Sequence, residues 1–118
     1  MSIDSKEKAF KIYKVLDDKK AIDIKIIYIG DLTTIADYFI IATANSQPHL
    51  NTLADEIEEK LFKDDIPVNH IEGYKSTGWI LMDYGDVVVH LFLKEDRFFY
   101  NLERLWKDGK EVVLDKQM

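Results

Sequence analysis

Cysteine is absent from the 118 residues, which excludes disulfides, thiol nucleophiles and thiolate-bound metal. Such a chain suits a reducing compartment. Proline occurs twice and glycine five times, always singly and where elements should end, so no flexible linker, repeat or low-complexity tract divides the sequence. No apolar run approaches the roughly 20 residues that a membrane helix needs. The opening stretch Met1-Ser2-Ile3-Asp4-Ser5-Lys6-Glu7 carries acids and no apolar core, unlike a secretory signal or an Arg-rich transit peptide. The expectation is a cytoplasmic protein with no membrane contact, organised as a single domain over residues 1–118.

Positive charge is also in deficit. Lysine and arginine number 16 against 22 aspartates and glutamates, for a net charge of −6 and a pI near 5.0. Nucleic-acid binding through phosphates needs a basic face, because counterion release supplies most of the affinity. Every basic cluster here is interleaved with acids; Lys19-Lys20 directly follows Asp17-Asp18. No direct nucleic-acid specificity is expected. An acidic chain is better matched to a basic protein partner, although the same charge also serves plain solubility.

What is present is enough apolar material, 47% of the residues, to build a core without staples. Asp4-x-x-Glu7 reads as a variant capping box, followed by Ala9, Ile12, Tyr13 and Leu16 at helical spacing. Residues 22–29 alternate as Ile24, Ile26, Tyr28 and read as a strand ended by Gly30-Asp31. Asp37-Tyr38-Phe39-Ile40-Ile41-Ala42-Thr43 is nearly all apolar, as expected of a strand covered on both faces. Asn45 or Ser46 should cap the next helix, with Pro48 in its first turn and Leu50, Leu53, Ala54, Ile57 and Leu61 buried. Its acids, from Asp55 to Glu59, form a solvated side. Residues 67–72 suggest a short strand. Residues 79–83 and 86–92 suggest a hairpin turning at Tyr84-Gly85. A last helix should start at Glu95 or Asp96, bury Phe98, Leu102, Leu105 and Trp106, and end near Asp108-Gly109. The tail 111–118 either adds a short strand or stays loose. The fold class is α/β (α+β), in the order α-β-β-α-β-β-β-α: a mixed β-sheet packed with helices.

With Tyr84-Gly85 as a two-residue loop, Asp83 faces Asp86, Met82 faces Val87, Leu81 faces Val88, Ile80 faces Val89 and Trp79 faces His90. One face, of Ile80, Met82, Val87, Val89 and Leu91, is core. The other combines Trp79, Leu81, Val88, His90 and Phe92 with both aspartates, which would repel by up to about 1 kcal/mol. Trp beside aliphatics with a charged rim is the anatomy of a protein-binding patch. The competing reading is that a helix covers this face and the aspartates only bound the turn.

Catalytic patterns are missing. His49, His70 and His90 form no pair at metal-ligand spacing. Ser46 lacks a Gly-x-Ser-x-Gly elbow and is explained as a helix cap. Asp83-Tyr84-Gly85-Asp86 has no Gly-rich phosphate loop beside it, and Gly73 and Gly78 are not spaced as one. No cofactor, metal or catalytic residue is expected.

Three segments carry a resemblance. The stretch 37–43, followed by Ser46 and a helix containing Ala54-Asp55-Glu56, is similar to the opening of the ribosomal silencing factor (Iojap-like) family. Glu72-Gly73 and then Trp79-Ile80-Leu81-Met82-Asp83-Tyr84-Gly85-Asp86-Val87-Val88-Val89-His90-Leu91-Phe92 resemble its central signature. Arg97-Phe98-Phe99-Tyr100-Asn101-Leu102-Glu103-Arg104-Leu105-Trp106 resembles its closing helix. Ala44 stands where the family often has Gly, and Asn101 where it often has Asp. The resemblance implies a nucleotidyltransferase-like topology lacking catalytic residues and no enzymatic activity. It implies docking on the large ribosomal subunit through ribosomal protein L14 (uL14), where it would block joining of the small subunit and repress translation, and a possible homodimer in isolation. The partner-binding residues so expected are Trp79 as anchor, Asp83 and Asp86 as charge partners, Tyr84 at the turn tip, His90 beside the indole, Glu72 and Tyr74 on the neighbouring loop, and Glu95, Arg97 and Tyr100 from the last helix. The alternatives are an adaptor in large-subunit assembly and a nucleotidyltransferase-like enzyme.

Overall fold

The computed structural model describes residues 4–30, 36–73, 78–94 and 110–112. Within them the chain forms α1 (Ser5–Asp18), β1 (Ile22–Tyr28), β2 (Tyr38–Ala44), α2 (Gln47–Lys63), β3 (His70–Glu72), β4 (Trp79–Asp83), β5 (Val87–Leu93) and β6 (Lys110–Val112). The element order expected from the sequence holds through the hairpin; the expected last helix lies outside the described residues. The strands build one six-stranded mixed sheet in the order β3-β4-β5-β2-β1-β6.

Both helices start where their side chains satisfy the free N–H groups of a first turn. Asp4 accepts from the Glu7 amide at 2.8 Å, and Ser46 from the His49 amide at 3.2 Å. Both also stop in the same way. The Ala21 amide donates to the Leu16 carbonyl and that of Lys20 to Asp17; the Ile66 amide donates to Leu61 and that of Asp65 to Phe62. These are Schellman ends, with Lys20 (φ 66°) and Asp65 (φ 64°) in the left-handed conformation usually given to glycine.

The helical stripes are buried as their spacing requires. Ala9, Ile12 and Leu16 of α1 and Leu50, Leu53, Ala54, Ile57 and Leu61 of α2 share one core with Ile26, Ile40, Ala42, Ile80, Met82, Val87, Val89 and Leu91. A second cluster, on the other side of the sheet, gathers Ile27, Ile29, Ala36, Phe39, Ile41, Val88 and Phe92. The sheet therefore buries apolar side chains on both faces, which is why β2 reads as a nearly continuous apolar run. That strand lies centrally, parallel to β5 with Tyr38 beside Val87 and Ala44 beside Leu93, and antiparallel to β1. The β1 ladder is irregular between Ile22 and Lys25, around Asp23 at φ 49°.

Candidate functional site

The hairpin turns one residue later than the sequence suggests. Trp79 pairs with Phe92, Ile80 with Leu91, Leu81 with His90, Met82 with Val89 and Asp83 with Val88. Tyr84 donates its amide to the Val87 carbonyl at 2.9 Å, so the two loop residues are Gly85 and Asp86. Gly85 stands at φ +88°, a backbone conformation that glycine enters without the steric cost a side chain would bring. The expected register placed Tyr84 and Gly85 in the loop and is corrected accordingly. The correction moves the pairing by two residues, and side chains alternate with a period of two, so each strand residue keeps its expected face.

Three of the expected contact residues meet on the second face, backed by a fourth. The β3–β4–β5 ladders align Glu72 with Leu81 and His90, and His70 with Asp83 and Val88. Directly paired residues share a face, which puts Glu72, His70, Asp83 and Trp79 together at the β3 end of the sheet. Trp79, His90 and Phe92 stand nearly parallel, with Trp79 centroids 6.0 Å from His90 and 5.9 Å from Phe92. Phe39 approaches the imidazole at 4.9 Å. The indole is half-buried and Glu72 exposed. His90 is only 5% exposed, and burial lowers its pKa to about 4. Its Nδ1 accepts from Trp79 Nε1 at 3.3 Å, while its Nε2 is buried without a hydrogen-bond partner.

Two expected contact residues belong elsewhere. Tyr84 follows Ile80 and Met82 on the helix-covered face, is 3% exposed and joins the first core. Burial, with a smaller contribution from the charge of Glu58, pushes its phenol well above the ordinary value. A buried ring cannot serve as an exposed turn tip. Asp86 does not face Asp83. Its Oδ1 lies 2.7 Å from the Lys8 ammonium, while Asp83 Oδ1 accepts from the Gly85 amide at 2.7 Å. The expected repulsion between the two carboxylates therefore has no structural basis. Tyr74, Glu95, Arg97 and Tyr100 lie outside the described residues.

Sequence reading missed two residues here. His70 is exposed and pairs with Glu72 at 3.0 Å; its place two positions before Glu72 in a strand was the available signal. Lys8 was invisible, since nothing local ties an α1 lysine to a distant turn. Among the described residues no group of three or more His, Cys, Asp or Glu is gathered as metal ligands would be, and no described helix is long and apolar enough to cross a membrane. A groove of about 690 Å³ lies instead between α1 and α2, lined by Phe10, Lys14, Val15 and Lys60 among others. Its Lys11 and Lys19 are already committed to Asp64 and Glu56, and we assign it no role.

This architecture has known counterparts. A crystal structure of a Chromobacterium violaceum protein superposes with a TM-score of 0.86 at 31% identity, covering 95% of this chain and 92% of that one. The ribosomal silencing factor of Bacillus subtilis is 41% identical over 99 residues, 84% of either chain. A mouse protein named for mitochondrial assembly of the ribosomal large subunit is 32% identical over 99 residues; the match spans 80% of this chain and 43% of that longer protein. The family model described as "Ribosomal silencing factor during starvation" matches residues 2–118. With the hairpin and both helices inside that match, the chain belongs to the ribosomal silencing factor family.

Proposed function

We propose that this chain, acting as one domain in the cytoplasm, binds the large ribosomal subunit through ribosomal protein uL14. There it occupies the face that the small subunit needs, and so represses translation by steric exclusion. The observation that carries the reading is the family match across residues 2–118. Its support in the chain itself is the convergence of Glu72, Asp83 and the half-buried Trp79 on one face at a sheet edge. Ribosomal proteins are generally basic, and a net charge of −6 favours encounter with such a partner. Trp79 would be the anchor, with His90 holding the indole from behind and Glu72 and Asp83 as the charged rim. Tyr74, Glu95, Arg97 and Tyr100 would complete the surface; Tyr84 would support it from within and Asp86 from the hairpin loop. The isolated protein would be a homodimer.

Sedimentation with separated ribosomal subunits, before and after they are allowed to associate, tests this. The expected result is co-migration with the large subunit alone and fewer joined ribosomes. Migration at the top of the gradient with normal joining would overturn the proposal. The mouse relative's name favours a second reading, an adaptor in large-subunit assembly. That reading predicts binding to large-subunit precursors with no effect on the joining of finished subunits.

A further inference from the structure

The hairpin loop is fastened from several directions. The Lys8 ammonium donates to Asp86 Oδ1 at 2.7 Å and to the Tyr84 carbonyl at 3.2 Å. The Asp86 carbonyl accepts from the Asp37 and Tyr38 amides at 2.8 and 3.1 Å. Lys8 is well sheltered in this position, with its side chain 15% exposed against 36% for Asp86. A carboxylate in contact with an ammonium contributes almost no net field at the distance where an approaching partner is steered. Asp83 differs, since it has no ion-pair partner among the described residues and bonds only the neutral Gly85 amide.

We infer that Lys8 is the positioning and charge-setting residue of the hairpin: it fixes the loop on α1 and withdraws Asp86 from the charge that a basic partner meets. The carboxylate left to meet that partner without an ion pair is Asp83, beside Glu72, whose Oε1 lies 3.0 Å from the exposed His70 ring. This rests on the basic-partner reading above.

Lys8→Met, Asp86→Asn and the double variant separate this from a direct contact by Asp86. Removing Lys8 uncovers a carboxylate, so association with large subunits should quicken a few-fold at low salt and its salt dependence should steepen. Removing Asp86 uncovers an ammonium and should slow association. The double variant, neutral again at this spot, should return close to the wild-type rate. Were Asp86 itself a contact, the double variant would be as slow as Asp86→Asn, and that outcome overturns the inference. So would a shift of both single variants in one direction. Lys8→Gln, which removes the charge but keeps a donor for the Tyr84 carbonyl, stands in should Lys8→Met not fold; it should quicken association in the same direction, and an unchanged rate would overturn the inference.

A wild-type chain that fails to bind large subunits would remove the functional reading and leave the pair to be judged on unfolding. There, the loss of melting temperature in the double variant should be smaller than the two single losses combined. Additive losses would mean that Lys8 and Asp86 do not act together.

Discussion

The indole Nε1 of Trp79 donates to Nδ1 of His90 across 3.3 Å, and this one bond fixes the state of the imidazole. A ring nitrogen that accepts carries no proton, so the proton of the neutral ring sits on Nε2. Protonating Nδ1 would set two donors against each other inside an aromatic cluster.

Acid should therefore act on this cluster in a defined window. Burial lowers the His90 pKa from 6.5 to about 4, so between those values the unfolded chain binds the proton more readily than the folded one. The contribution of His90 to stability is intact above pH 6.5 and is lost as pH falls toward 4. A shift of this size corresponds to a loss on the order of 3 kcal/mol across the window. Denaturant unfolding at pH 7 and pH 4.5 should show a smaller pH-dependent loss in His90→Phe than in wild type. An equal loss in both would mean that His90 is not the group responsible.

Trp79→Ala should weaken large-subunit binding by about 2 kcal/mol or more while the variant stays folded. Because the indole is half-buried and stacked along His90 and Phe92, the fold itself should lose about 2 kcal/mol. Trp79→Phe, which retains an aromatic ring in the stack, should recover more of the stability than of the binding. Isothermal titration and denaturant unfolding on the same preparations read both quantities. Unchanged binding by folded Trp79→Ala would remove the residue from the site.

The helix ends offer a stabilising pair. Lys20 and Asp65 hold positive φ at the two Schellman ends, where a side chain costs roughly 1 kcal/mol relative to glycine. Lys20→Gly and Asp65→Gly should each raise the melting temperature by a few degrees in calorimetry. No local cation or carboxylate effect should outweigh this at Asp65, which is exposed. A fall in melting temperature for both would show that the left-handed strain is not the controlling factor.

Much of this fold was legible because its signals are local. The caps at Asp4 and Ser46, the α2 stripe from Leu50 to Leu61 and the doubly covered β2 each follow from residues within a turn or two of one another. The sorting of Trp79, Leu81 and His90 from Ile80, Met82 and Val89 survived a misplaced turn, because moving the register by two preserves side-chain parity. Tyr84 did not survive it: counted as a loop residue, it lost the parity that places it beneath α1 and α2. The Lys8–Asp86 pair depends on how α1 lies over the sheet, which no periodicity encodes. The strand at 67–72 shortened to His70–Glu72: Pro67 can donate no ladder hydrogen bond, and the Asn69 amide, donating to the Asp83 carbonyl at 2.8 Å, precedes the regular pairing.

His49 joins the end of α1 to the start of α2, accepting from the Asn45 amide at 3.0 Å and donating from Nε2 to the Lys19 carbonyl at 2.9 Å. Losing both bonds in His49→Ala should cost about 1–2 kcal/mol, and Ser46→Ala about 1 kcal/mol through the cap. Thermal unfolding of the two variants and their combination checks this. The Ser46 oxygen and the His49 ring serve one turn of chain, so the combined loss should depart from the sum of the two. Strict additivity would mean that they act as separate fastenings.

The parallel pairing of β2 with β5 has a consequence for the order in which the molecule assembles. Its two strands are separated by α2, β3 and β4, so the centre of the sheet cannot close until that whole intervening stretch has been drawn in. The entropy of closing so long a loop is spent before the central pair returns any gain. The β4–β5 hairpin needs no such closure, and α2 is bounded by its own caps. Nascent structure should therefore gather first at the hairpin and α2, with β1 and β2 docking late. Refolding would then be slowed less by substitutions along β1 than by ones in the Gly85–Asp86 turn.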